Sequence, residues 1–237
     1  MAERNRAAIV TGGTGGLGKS VTKAFLQQGW QVLVTYVEQD EFNSLLEECE
    51  EHRDALRGAL VDLTQSQEVK KLAECVRREF PNVQALVNVI GGFAGGQSVT
   101  QTPEAVWDLM IRLNLKTVFL ACKTLAPVIA DSGGGTIVNI GARAGRHLVA
   151  GMAAYGVSKA GVCALTEVLA EELRPENIRV NCILPSIIDT EANRHSMPDA
   201  DFSKWVTPAE IARLILFLVS DEAKKISGAA IPIYGDA

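Results

Sequence analysis

At 237 residues with 47% hydrophobic side chains, the chain is long enough for one sizeable α/β domain or two small ones. Its net charge of −5, with no long basic run, argues against a nucleic-acid partner. No apolar run approaches the roughly 20 residues of a membrane span, and the opening Met-Ala-Glu-Arg-Asn-Arg carries no signal-type core, so a soluble protein of the cytoplasm is expected.

Apolar strand-like runs alternate with helical patterns from end to end. The first half reads as strand Ala7 to Thr11, helix Gly18 to Gln28, strand Gln31 to Val37, helix Glu41 to Glu50, strand Gly58 to Val61, helix Ser66 to Glu79 and strand Ala85 to Val89. The second half continues with helix Pro103 to Ala130, strand Thr136 to Ile140, helix Ala154 to Leu173, strand Arg179 to Leu184, helix Pro208 to Val219 and strand Ala230 to Ile233. This rhythm predicts one α/β domain, a doubly wound parallel sheet with helices on both faces. The strands are continuous apolar runs, as burial on both faces requires. Ile187 to Val206, polar and interrupted by Pro198, is the segment expected to move. Five cysteines (Cys49, Cys75, Cys122, Cys163, Cys182) lack a C-x-x-C pair, which predicts buried free thiols and no metal site.

Gly12 to Gly18, Gly-Gly-Thr-Gly-Gly-Leu-Gly, closes the first strand and opens the first helix. It fits G-x-G-x-x-G from Gly13 and a wider G-x-x-x-G-x-G from Gly12, so the register stays open. In either register, residues without a Cβ let the backbone approach a pyrophosphate, and the helix start offers free N–H groups and a positive dipole end. A dinucleotide is therefore expected here. The end of the second strand, which reads the adenosine ribose in such folds, carries Tyr36, Val37 and Glu38 in place of the usual Asp or Arg. A carboxylate at Glu38 facing the site tilts the choice between NAD and NADP toward NAD; a solvated position is the alternative. Asp62, after the third strand, either meets the adenine amino group or caps the next helix.

Tyr155 and Lys159 lie one turn apart on a predicted helix, a proton donor with a cation beside it. At ~5 Å and an effective dielectric of ~20, the ammonium favours the phenolate by roughly 3 kcal/mol, so Lys159 is expected to lower the pKa of Tyr155.

With Gly12, Gly16 and Gly18, Asn88 to Gly91, Asn114, Tyr155 and Lys159 at these intervals, the whole chain resembles the short-chain dehydrogenase/reductase superfamily. The resemblance implies a Rossmann-like fold of about seven parallel strands, bound NAD or NADP, a small-molecule substrate, and a homo-oligomer, dimer or tetramer, built through the helices after the fourth and fifth strands. It implies Tyr155 as general acid or base, Lys159 on the nicotinamide ribose, and Asn114 placing a water at a helix irregularity. It further implies cofactor contacts from Gly12, Thr14, Gly16, Leu17, Gly18, Tyr36, Asp62, Leu63, Asn88, Gly91, Pro185, Ile188 and Thr190. The serine expected in that superfamily is Ala142 here. Gly141, Arg143 and Ala144 supply no hydroxyl, and Ser158 is left as an open question. Losing one oxyanion donor typically costs ~10²–10³ in rate.

A narrower resemblance gives a reason for that loss. Gly91-Gly92-Phe93-Ala94-Gly95-Gly96, the serine-free Gly141-Ala142-Arg143-Ala144, Tyr155-Gly156 and the stretch Asn193 to Trp205 look like quinonoid dihydropteridine reductases. Their electron-poor conjugated imine accepts hydride without a full alkoxide, so an oxyanion donor matters less. Phe93 is then a candidate to stack on a planar substrate, with core packing as its alternative. Met197 and Trp205 are either part of a lid or anchors for a long loop. His147 and His195 are read as solvated loop residues. Two departures stand against the narrower match: Tyr36, where those reductases carry an aspartate, and a C-terminal stretch of the ordinary superfamily type. Two other functions remain: a 3-oxoacyl-type carbonyl reductase slowed at Ala142, and a catalytically quiet nucleotide-binding subunit.

Overall fold

The computed structural model describes residues 6–236. The first five residues, which include most of the opening stretch read above for a signal core, and Ala237 lie outside the described residues.

Seven strands form one parallel sheet in the order β3-β2-β1-β4-β5-β6-β7. They are β1 (Ala7–Thr11), β2 (Gln31–Tyr36), β3 (Leu56–Leu60), β4 (Val83–Asn88), β5 (Gly135–Ile140), β6 (Ile178–Pro185) and β7 (Ala230–Ile233). The order runs outward from β1 in one direction and from β4 in the other. The carboxyl ends of β1 and β4 therefore flank the switch point where such sheets bind ligands. The central strands β1, β4 and β5 are almost wholly buried, and this explains their unbroken apolar sequences.

The helices are α1 (Gly16–Gln27), α2 (Gln39–Glu48), α3 (Ser66–Glu79), α4 (Glu104–Met110), α5 (Thr117–Asp131), α6 (Ala153–Glu172), α7 (Glu191–Ser196) and α8 (Pro208–Val219). Two apolar cores result, one on each face of the sheet: Phe25, Leu26 and Ile215 pack on one side, Leu72, Leu125 and Ile129 on the other. Helix α8 begins where Thr207 and Glu210 close a reciprocal capping box with Pro208 in the first turn, which explains its sharp start.

Three expectations change. The single helix expected over Pro103 to Ala130 is α4 and α5 joined by a π-helical stretch, Ile111–Lys116. Taken together, Glu104–Asp131 is long and apolar enough to cross a membrane by length and composition, contrary to the sequence reading, yet 56% of its most apolar window is buried inside the fold. Val118, Ala121, Leu125 and Ile129 supply that burial, so it packs as an internal helix of the domain. Finally, Ile187 to Val206 is tied down, not loose. It holds α7, capped by the Thr190 side chain, an Asp189–Arg194 ion pair and a β-bridge between Ile188 and Val206, with Trp205 buried at its end.

Candidate active site

The glycine-rich turn leaves β1 through Gly12 at φ +65°, a left-handed conformation that glycine tolerates best. Its N–H donates to Thr35 Oγ1 at 3.1 Å, fixing the turn to β2. A Cβ on Gly18 would lie 2.0 Å from the Gly12 carbonyl oxygen, and one on Gly16 would lie 2.9 Å from the Thr190 methyl. Those contacts favour the register Gly12, Gly16, Gly18. Gly13 is also required, because a Cβ there would meet the Val34 side chain at 2.5 Å. Helix α1 opens at Gly16, so its unpaired N–H groups and positive end face the turn.

Beside it lies a cleft of about 310 Å³ lined by Gly12, Thr14, Leu17, Tyr36, Glu41 and Gly91, among others. A bare backbone cradle at a helix start, at the switch point of a parallel sheet, fits the pyrophosphate and adenosine of a dinucleotide. Thr190 borders the same turn through its contact with Gly16, and Ile188 and Pro185 carry the chain there from the end of β6.

The π-helical stretch turns Asn114 inward, where it is fully buried. Its Oδ1 accepts from the Gly92 N–H at 2.8 Å, and its Nδ2 donates to the Gly92 carbonyl and to Ser158 Oγ, both at 3.0 Å. Lys159 Nζ, also buried, donates to the Ile140 carbonyl at 2.9 Å. A Cβ on Gly91 would stand 2.8 Å from Asn114 Oδ1 and 3.1 Å from Lys159 Nζ, so these three residues converge next to the cleft. Tyr155, on α6 one turn before Lys159, meets the edge of Phe93, with ring centroids 5.0 Å apart at 78°. Phe93 itself remains 63% exposed, which excludes core packing as its role.

The electrostatics differ from the sequence expectation. Burial pushes the Tyr155 phenol up to about 12, and burial pulls Lys159 down to about 8, partly opposed by the Cys182 and Cys163 thiols. Desolvation alone sets the shift of Tyr155, without the lowering expected from the cation, so the phenol is held in its protonated form.

Ala142 follows β5 and is buried. Ser158 does not replace the missing serine: its hydroxyl donates to the Tyr155 carbonyl at 2.7 Å and accepts from Asn114. The Ser186 hydroxyl is likewise committed, donating to the Tyr234 carbonyl. On the outer side of Ala142, Arg143 stacks over the Tyr234 ring at 5.1 Å, and His147 approaches the same ring edge-on at 6.0 Å. His147 and His195 are both exposed.

Several predicted contact residues have their side chains engaged elsewhere. Asn88 donates to Asn139 Oδ1 at 2.8 Å and accepts from Thr11, a buried polar link across β1, β4 and β5. Asp62 closes a local turn just before α3 without capping it: it accepts from the Thr64 N–H at 2.8 Å, its own N–H donates to Glu68 at 2.7 Å, and the N-cap position is Gln65. Burial acts to raise the Asp62 pKa, but its hydrogen bonds from Thr64 and Gln65 bring it below the ordinary value. Leu63 is buried in the core, leaving only its backbone for a ligand. Trp205 is buried against Phe202, their ring centroids 4.8 Å apart, and Met197 ends α7; both have the geometry of the anchoring alternative. Tyr36 stacks flat on Phe42 at 4.7 Å and donates to Gln39 at 2.9 Å while still lining the cleft. Glu38 is exposed before α2. The carboxylate that reaches the cleft is Glu41, whose Oε2 accepts from Thr14 Oγ1 at 2.6 Å. Sequence reasoning missed it; its only signal was a position just past the second strand.

A glycine cradle at the switch point, with the buried Asn114 and Lys159 and the half-buried Tyr155 beside it, defines a dinucleotide-dependent oxidoreductase. The short chain dehydrogenase family model matches residues 6–201. The chain belongs to that family, and is an NAD(P)-dependent oxidoreductase with a small-molecule substrate. It is 30% identical to the 3-oxoacyl-(acyl-carrier-protein) reductase FabG of Thermotoga maritima, over 99% of this chain and 98% of that one. It is 31% identical to an NAD-dependent glycerol dehydrogenase of Listeria innocua, over 98% of this chain and 93% of the other. Among solved structures, a short-chain type dehydrogenase/reductase from Mycobacterium ulcerans superposes with a TM-score of 0.93 at 25% identity, covering 100% of this chain and 90% of that one.

Proposed function

We propose that the protein is a reductase in which Tyr155 protonates a planar conjugated acceptor, a C=N or C=O within a pterin-like ring system. The observation that carries this reading is Ala142. The site keeps its proton donor and its Asn114 network but has no hydroxyl at that position, and Ser158 and Ser186 are both committed. A conjugated acceptor spreads the developing charge over its ring, so it depends least on an oxyanion donor.

Bound in the cleft, a reduced nicotinamide supplies the hydride. The chain's own groups do the rest. Lys159 holds the ribose, Asn114 orders a water between the lysine and bulk solvent, and the protonated phenol of Tyr155 delivers the proton. A phenol pushed up to about 12 is protonated at neutral pH, the form that donates in reduction. Phe93, exposed and edge-on to Tyr155, offers a face on which a flat substrate stacks.

A second reading has its own support. FabG among the relatives points to a 3-oxoacyl-type carbonyl reductase working at reduced rate through Ala142. Steady-state assays with quinonoid dihydropterin and with a 3-oxoacyl thioester, each with NADH and NADPH, separate the two: faster turnover of the pterin supports the first. We also propose that the protein is a homo-oligomer, packed through α5 and α6, where Phe119 and Val168 are exposed around a surface cavity of about 660 Å³.

A further inference from the structure

We propose that Glu41 sets the cofactor choice of this protein: its carboxylate accepts from the adenosine ribose hydroxyls of NAD and repels the 2′-phosphate of NADP. The inference rests on the glycine-lined cleft being the dinucleotide site and goes further by assigning its specificity. In open α/β sheets the ribose is read at the end of β2, beside the glycine turn. Here the residues at that point do not read it. The Tyr36 phenol is spent on Gln39, its ring lies against Phe42, and Val37 has no polar side-chain atom.

Glu41, in the first turn of α2, fills the gap. Its Oε2 reaches the turn itself, accepting from Thr14 Oγ1 at 2.6 Å, although the two residues come from different βα units. The same carboxylate lines the cleft with Gly12, Gly16 and Tyr36. Among the described residues, no Lys or Arg lines it. The nearest lysines in sequence, Lys19 and Lys23, are both paired with Glu48, each at 2.6 Å. A 2′-phosphate would therefore meet a carboxylate without a compensating cation, whereas a ribose hydroxyl would find an acceptor already in place. The competing explanation is a carboxylate stabilised only by the positive end of α2, and it predicts no effect on dinucleotide discrimination.

Calorimetric titration with NADH and NADPH tests this without relying on turnover. Wild type should bind NADH about 100-fold more tightly than NADPH. Glu41→Gln should cut that ratio to about tenfold or less, mainly through tighter NADPH binding, and added salt should erode the preference of the wild type more than that of the variant. Asp40→Asn, the adjacent exposed carboxylate, should leave the ratio unchanged. Equal affinities in the wild type, an unchanged ratio in Glu41→Gln, or an equal fall in Asp40→Asn overturns the role of Glu41. Binding of neither dinucleotide overturns the cofactor reading of the cleft and this inference with it.

Discussion

Ser158 serves Asn114. Its Oγ accepts from Asn114 Nδ2 at 3.0 Å and donates to the Tyr155 carbonyl at 2.7 Å, so one hydroxyl ties the π-helical stretch to α6. Ser158→Ala removes that tie while leaving the Gly92 contacts of Asn114 intact. We expect stability to fall by about 1 kcal/mol. Turnover should fall about tenfold with KM nearly unchanged, since Asn114 is held less firmly but no substrate contact is lost. Urea denaturation and steady-state kinetics check the two parts.

Ala142→Ser restores a hydroxyl where none is free to act. On a 3-oxoacyl thioester it should raise turnover by about 10². On quinonoid dihydropterin the gain should stay below about threefold, because little charge then localises on a single oxygen. Comparing the two substrates in one variant distinguishes an impaired ketone reductase from an enzyme adapted to a conjugated acceptor.

Lys159 is buried at a cost. Its folded-state pKa of about 8 lies below the ordinary value of 10.5, so between those pH values the unfolded chain binds a proton that the folded chain does not. Stability from this group is lowest below pH ~8 and recovers as pH rises toward ~10.5. Lys159→Met should therefore be more stable than the wild type at pH 7 by about 1–2 kcal/mol, after allowing for the Ile140 carbonyl left without its donor. That advantage should shrink across the same interval, as read from denaturant midpoints at several pH values, while activity is lost throughout.

The exposed ring of Phe119 tests the assembly. Phe119→Asp would place a carboxylate in an apolar contact, at a cost of several kcal/mol per interface. Light scattering should find the wild type as a dimer or tetramer and the variant as a smaller species; equal masses would remove α5 and α6 from the interface.

Much of this was legible because the strands announce themselves. β1 and β7 fall where their apolar runs lie, and α8 starts at its capping box. The π-helical stretch was legible only through the resemblance, which implied a helix irregularity at Asn114; the apolar period runs on from α4 into α5, and only hydrogen bonding registers the extra residue in the turn. Helix α7 was hidden for the opposite reason: its support is the Thr190 cap and the Asp189–Arg194 pair rather than an apolar face. At the site, spacing placed Tyr155 and Lys159 on one helix but did not reveal their depth, and burial reversed the expected shift of the phenol. The Thr14–Glu41 contact joins two βα units, a proximity that only folding creates.

The central claim is that Tyr155 is the proton donor for hydride transfer to a conjugated acceptor. Its most direct test is the rate of NADH oxidation with quinonoid dihydropterin in the wild type and in Tyr155→Phe, with cofactor binding by both confirmed by calorimetry. We predict measurable turnover by the wild type and a fall of about 10² or more in the variant, with NADH affinity retained. No turnover by the wild type, or equal rates in the two proteins, would contradict it.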